Sequence, residues 1–204
     1  MRTVQVNSVC IHEASHAITA MAFGYAPALV WANESGGRCV IGASTIPPVW
    51  ELVINAAGYA AGIIVKPFTI ETDEPQAPSM TSTELPMSDD DLSATSLAME
   101  FEKMERDGAV SPTIHDHRRI EEIVEGLLAR GEILPRTRLV DRWHSRAMLR
   151  AWTILERNKT SVMKLAAALA VRGALTAKDI SELIPIGGAG ATFATAPSLT
   201  SEVA

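Results

Sequence analysis

Cysteine is scarce in this 204-residue chain: only Cys10 and Cys39 occur. Two cysteines make no disulfide framework, so both are expected as buried free thiols. No apolar run reaches the roughly 20 residues that a membrane-spanning helix needs. The best stretch, Val53 to Val65, is interrupted by Asn55, Gly58, Tyr59 and Gly62. Basic residues are in deficit, 18 Lys and Arg against 24 Asp and Glu, for a net charge of −6. That balance argues against a general nucleic-acid binder. The N-terminus carries one arginine before a charged segment and does not read as a signal peptide. A cytoplasmic, reducing location is therefore expected, with no membrane partner. With 47% apolar and 21% charged residues, the composition is that of a globular domain with one substantial core.

The most informative segment is His12-Glu13-Ala14-Ser15-His16. Side chains four residues apart share one face of a helix, so His12 and His16 project together. Two neutral imidazoles at that spacing can grip a Zn²⁺ ion at roughly 2.0–2.1 Å per nitrogen. Glu13 then lies beside the metal's water and can take its proton. The surrounding residues Val4, Val6, Val9, Ile11, Ala14, Ala17, Ile18, Met21 and Phe23 are apolar. Two imidazoles and a carboxylate on so apolar a helix are costly without partners, and a metal is an economical one.

Periodicity and punctuation predict a mainly helical α+β chain. A first helix is expected over about Val4 to Phe23, with Asn7 or Ser8 as N-cap and Gly24 as terminator. Residues 28–32 and 38–44 flank Asn33-Glu34-Ser35-Gly36-Gly37 and read as one β-hairpin. Pro47-Pro48 opens a second helix to Val65, with Ala57, Gly58, Ala61 and Gly62 leaving one side smooth enough for close helix approach. Lys66 to Met87 is rich in Pro, Thr, Ser and Glu and is expected as a mobile loop. Further helices are expected from Ser88 to Arg106, from Pro112 to Gly131, from Arg138 to Asn158 and from Ser161 to Arg172. Thr176 and Asp179 form a capping-box pattern for a last short helix. One domain is expected over residues 1–186, with 187–204 a disordered tail.

A catalytic zinc needs a third protein ligand. Asp89, Asp90 and Asp91 head the expected third helix, where acidic residues also suit the helix dipole. Asp89 belongs to a polar face, and Ser88 with Asp91 matches a variant capping box. Asp90 shares a face with Ala94, Leu97 and Phe101, so its carboxylate turns inward and needs a cation. Asp90 is the expected ligand, with Asp91 the alternative. His115, His117 and His144 read as surface or capping residues. Glu71, Asp73, Glu74 and Glu84 sit in the expected loop, which would position a ligand poorly. The stripe Arg138, Arg142, Arg146 and Arg150 reads as a solvated face or an oligomer contact.

Several segments, in order, resemble the peptidase domain of the FtsH-type AAA+ zinc metalloproteases. His12-Glu13-Ala14-Ser15-His16-Ala17 resembles that family's His-Glu-Ala-Gly-His-Ala. Asn55 to Gly62 is similar to its Gly-Gly-Arg-Ala-Ala-Glu helix, and Asp90 to Ala98 to its Asp-Leu-x-x-Ala-Thr-x-Ile-Ala segment. Ala151 to Ala166 and Leu175 to Ile180 resemble its C-terminal helices and closing Leu-Thr turn. The family's leading aspartate is its third zinc ligand; the Ala-Thr register places it on Asp90, the Asp-Leu dipeptide on Asp91. Ser15 replaces a glycine, and Gly62 stands where the family has a glutamate. No Gly-x-x-x-x-Gly-Lys-Ser/Thr motif occurs. The resemblance implies a helical, zincin-like zinc endopeptidase without its own ATPase, with Glu13 catalytic and His12, His16 and Asp90 on the metal. Its substrates would be peptides or unfolded protein segments, some delivered by a separate AAA+ ATPase, and it would assemble as a homo-oligomer. The alternative is a catalytically weak or inactive, zinc-stabilised interaction or regulatory module derived from the same fold.

Overall fold

Asn7 begins the organising helix: its side chain accepts the Cys10 N–H at 2.9 Å and caps α1 (Ser8–Ala22). The helix closes at Gly24, whose φ of +86° is a conformation that L side chains rarely adopt. The computed structural model describes residues 1–34, 36–42, 45–74, 112–132 and 139–185. Ahead of α1 the chain is a strand, β1 (Arg2–Val6), rather than the start of the helix. Val4 and Val6 alternate with polar neighbours, a period of two that buries both against the core.

Next come β2 (Pro27–Ala32), β3 (Gly37–Ile41), α2 (Pro48–Ile64) and β4 (Phe68–Thr72). Beyond residue 111 follow α3 (Pro112–Ala129), α4 (Leu139–Arg157), α5 (Lys159–Arg172), β5 (Ala174–Thr176) and α6 (Ala177–Leu183). The expectation of a mainly α chain with a small β component holds. The hairpin is present as β2 and β3, antiparallel, but it has a third member: β5 pairs with β2 on the other side, giving the order β3-β2-β5. A separate pair joins β1 to β4, with Val4 opposite Ile70 and Val6 opposite Phe68. The stretch expected as a loop from Lys66 therefore begins with a strand. Its remainder from 75 to 87, the helix expected over 88–106 and the tail from 187 lie outside the described residues.

α1 is the centre of the molecule. Every residue from Cys10 to Ala22 is buried, as expected of a helix enclosed on all sides. It packs on α2, α5 and β2, and α2 in turn packs on α3 and α4. Ile11, Ile18 and Met21 lie wholly in the core, each worth roughly 1.5–3 kcal/mol of burial. α3 buries Ile120, Ile123, Val124 and Leu127, and α4 buries Ala147, Ala151, Ile154 and Leu155, the stripes that periodicity predicts. Thr176 and Asp179 form the expected capping box on α6. Both cysteines are free thiols. Among the described residues no helix is long and apolar enough to cross a membrane.

Candidate metal centre

His12, Glu13 and His16 lie inside this buried helix, and each polar group has an identifiable neighbour. His16 Nδ1 donates to the Ile54 carbonyl of α2 at 2.7 Å. That bond places the proton of the neutral ring on Nδ1 and leaves the Nε2 lone pair facing His12. The His12 ring bonds to the Gly58 backbone of α2 and directs its own Nε2 to within 3.0 Å of His16 Nε2. Gly58 is required there, because a Cβ at that position would collide with the His12 ring. This is the close helix approach foreseen for the smooth side of α2 at Gly58; Gly62, one turn on, is exposed, and a Cβ there would meet open space.

The third donor comes from α3. Asp116 Oδ2 lies 3.0 Å from His12 Nε2 and 3.3 Å from His16 Nε2. These three residues are a group of ligand atoms within mutual reach of one metal ion. The triangle has edges of 3.0, 3.0 and 3.3 Å. A tetrahedral zinc with bonds of roughly 2.0–2.1 Å sets its ligand atoms about 3.3–3.4 Å apart. Asp116 Oδ2 is a buried carboxylate oxygen facing both imidazole nitrogens, and a buried negative charge of this kind needs a cation, whether a proton or a metal. Two imidazoles and one carboxylate suit zinc, and the donor set fits.

The electrostatics of the metal-free site agree. Burial disfavours charge on both imidazoles, and His12 stays below the usual histidine range. At His16 the Asp116 carboxylate outweighs burial and raises the pKa to about 9. Two facing nitrogens 3.0 Å apart cannot both carry a proton, so one ring takes the charge. Burial also works against charge on Asp116, but the His16 cation prevails and holds the carboxyl at about 2. A proton thus stands in for the metal, bound between His16 and Asp116.

Glu13, one residue after His12 on α1, lies against β3. Gly37 has no side chain to hold the strand away, and a Cβ there would press into the Glu13 methylene. The Cys39 backbone bonds to the Glu13 carboxylate. Burial raises this carboxyl to about 7, opposed by the charges of His16 and Arg38. Ser15, within the motif, donates its hydroxyl to the Ile11 carbonyl at 2.7 Å.

Of the residues nominated by sequence, His12, Glu13 and His16 are brought together. Asp90 and its alternative Asp91 lie outside the described residues. Asp116 is not among the sequence-nominated ligands, yet it carries the same signal: Ile120, Ile123, Val124 and Leu127 follow it at helical spacing. The inward-face argument applied to Asp90 holds equally for it. His117 is half-exposed and pairs with Glu121 at 3.3 Å. His144 packs edge-on between Tyr59 and His117 at 5.5 and 5.3 Å; neither histidine joins the triangle. Arg146 is exposed, as expected of its stripe, while Arg150 is half-buried; the side chains of Arg138 and Arg142 fall outside the described residues. Glu74 binds Arg172 with both carboxylate oxygens. No protein-family model matches the chain, and no curated protein does.

Proposed function

We propose that the chain is a zinc-dependent metalloendopeptidase of the FtsH type, cutting peptides or unfolded protein segments. The observation that carries this reading is the convergence of His12 Nε2, His16 Nε2 and Asp116 Oδ2 on one helix–helix junction, with Glu13 buried beside them. His12, His16 and Asp116 would hold the ion, which when bound supplies Lewis acidity that acidifies water and stabilises charge on a carbonyl oxygen. Glu13 moves the proton: its carboxylate accepts one from the attacking water and returns it to the departing amine nitrogen. A carboxyl near pH 7 is suited to both halves of that exchange. His16, fixed through Nδ1 to Ile54, and His12, fixed against Gly58, keep their rings from turning.

β3 supports the same reading from the substrate side. Among the described residues it is the terminal strand of its sheet, and its Cys39 backbone is bonded to Glu13. An extended peptide added along that edge as a further strand would run beside the proton carrier. Delivery of substrates by a separate AAA+ ATPase, and assembly into a homo-oligomer, belong to the same proposal through the family resemblance.

The test is incubation of zinc-loaded protein with casein and with a library of disordered peptides, with and without a chelator. Chelator-sensitive cleavage, lost in Glu13→Gln, supports the peptidase. Stoichiometric zinc without any cleavage overturns it in favour of a zinc-stabilised interaction module.

A further inference from the structure

Three contacts lie along one face of α2 at helical spacing. Ile54 receives His16 through its carbonyl, and Gly58 abuts His12. Glu51, one turn before Ile54, reaches the third helix of the site. Its Oε1 accepts from Arg119 Nε at 2.7 Å and lies 2.6 Å from a terminal guanidinium nitrogen. The other guanidinium nitrogen bonds Glu122 at 3.3 Å. Arg119 stands three residues after Asp116, on the same face of α3. The helix that fixes both imidazoles therefore also grips the helix that carries the carboxylate, one turn away from it.

We propose that the Arg119–Glu51 pair is a positioning device for the metal ligand Asp116. Arg119 is 50% exposed and Glu51 25% exposed, so as a source of fold stability the pair is worth little. Its value is geometric. A planar guanidinium fixed on both sides by carboxylates limits how far α3 can slide or roll along α2. Without it, Asp116 Oδ2 loses its register against two nitrogens that are themselves locked. The inference rests on the reading of Asp116 as a metal ligand and is independent of peptide hydrolysis.

The experiment measures the zinc dissociation constant by competition with a chromophoric chelator, together with the melting temperature of the metal-free protein. The variants are Asp116→Asn, Arg119→Gln, Arg119→Lys, Glu51→Gln and the exchange Glu51→Arg with Arg119→Glu. Arg119→Gln and Glu51→Gln are expected to weaken zinc by up to roughly 10-fold, the low end of what groups bonded directly to a ligand contribute, with little change in metal-free melting. Arg119→Lys restores part of the affinity, since an ammonium offers no planar fork, and the exchanged pair restores most of it. Arg118→Gln, which removes an exposed partner of Glu122, leaves affinity unchanged. Unchanged zinc binding in Arg119→Gln and Arg119→Lys overturns the proposal. So does a loss matched by equal metal-free destabilisation, or an equal loss in Arg118→Gln. If Asp116→Asn itself binds zinc normally, the ligand reading has failed rather than the clasp alone.

Discussion

His16 Nδ1 donates to the carbonyl of Ile54, 38 residues further along the chain, at 2.7 Å. That hydrogen bond selects the ring nitrogen left for chemistry, and it does so from a different helix than the one bearing the histidine. The motif alone supplies two imidazoles on one face; α2 decides which way they turn. The expected consequences for the site can be tested one residue at a time.

Asp116→Asn should weaken zinc by more than the roughly 100-fold that losing an orienting partner costs, because it removes a ligand outright. Asp90→Asn should leave zinc affinity unchanged. Isothermal titration of both variants decides between the two carboxylates. Zinc lost from Asp90→Asn and kept by Asp116→Asn would transfer the role to Asp90.

Glu13→Gln should retain stoichiometric zinc by elemental analysis while losing cleavage. The same variant carries a stability signature. In the metal-free fold, burial raises the Glu13 carboxyl from 4.5 to about 7. A carboxyl raised on folding costs nothing below its unfolded value and loses the protein stability as pH climbs through about 7. Glu13→Gln removes that penalty. Metal-free Glu13→Gln should therefore melt higher than the unsubstituted protein at pH 8, by up to roughly 3 kcal/mol of stability, and the advantage should vanish below pH 4.5.

Zinc binding should depend on pH through the proton shared by His16 and Asp116. The Asp116 charge overcomes burial to raise His16 from 6.5 to about 9, so the metal-free fold holds this proton and is stabilised by it. That contribution is complete below pH 6.5 and lost as pH rises through about 9. Zinc must displace the proton, so its apparent affinity should rise about tenfold per pH unit and flatten above about 9. In Asp116→Asn, with the raising charge gone, the flattening should move to lower pH. Competition titrations from pH 6 to 10 provide the curve, and a pH-independent affinity contradicts the assignment.

Two glycines of α2 should behave oppositely when changed to alanine. Gly58→Ala drives a methyl group into the His12 ring and should cost about 1–3 kcal/mol through overpacking, with loss of zinc. Gly62→Ala meets nothing and should stabilise the helix by roughly 0.5–1 kcal/mol. Thermal melts and zinc titrations of the pair provide the comparison.

The helices were readable from sequence because their apolar stripes persist over several turns, as in Ile120 to Leu127 and Ala147 to Leu155. The short strands were not. Phe68-Thr69-Ile70-Glu71-Thr72 alternates, but five residues between prolines and acids are a faint signal, and β4 owes its form to pairing with β1. β5 has three residues, too few to display any period, and exists because β2 offers it an edge. β1 reads as part of the helix because Val4 and Val6 also suit a helical stripe; the Asn7 cap marks the true boundary. At the site, His12 and His16 share a helix and were found by spacing. Asp116 lies 100 residues beyond His16, and long-range partnership of that kind leaves no spacing to read. Its inward face was visible, but so was that of Asp90, and periodicity cannot say which helix packs where.

α1 and α3 both rest on α2 and have little direct contact with each other. An ion shared between them would close a loop that packing leaves open, turning three stacked rods into a braced frame. Demetallation should then register unevenly along the chain. Amide exchange would quicken first around Asp116 to Ile120, while the enclosed backbone of Ile11 to Met21 keeps its protection.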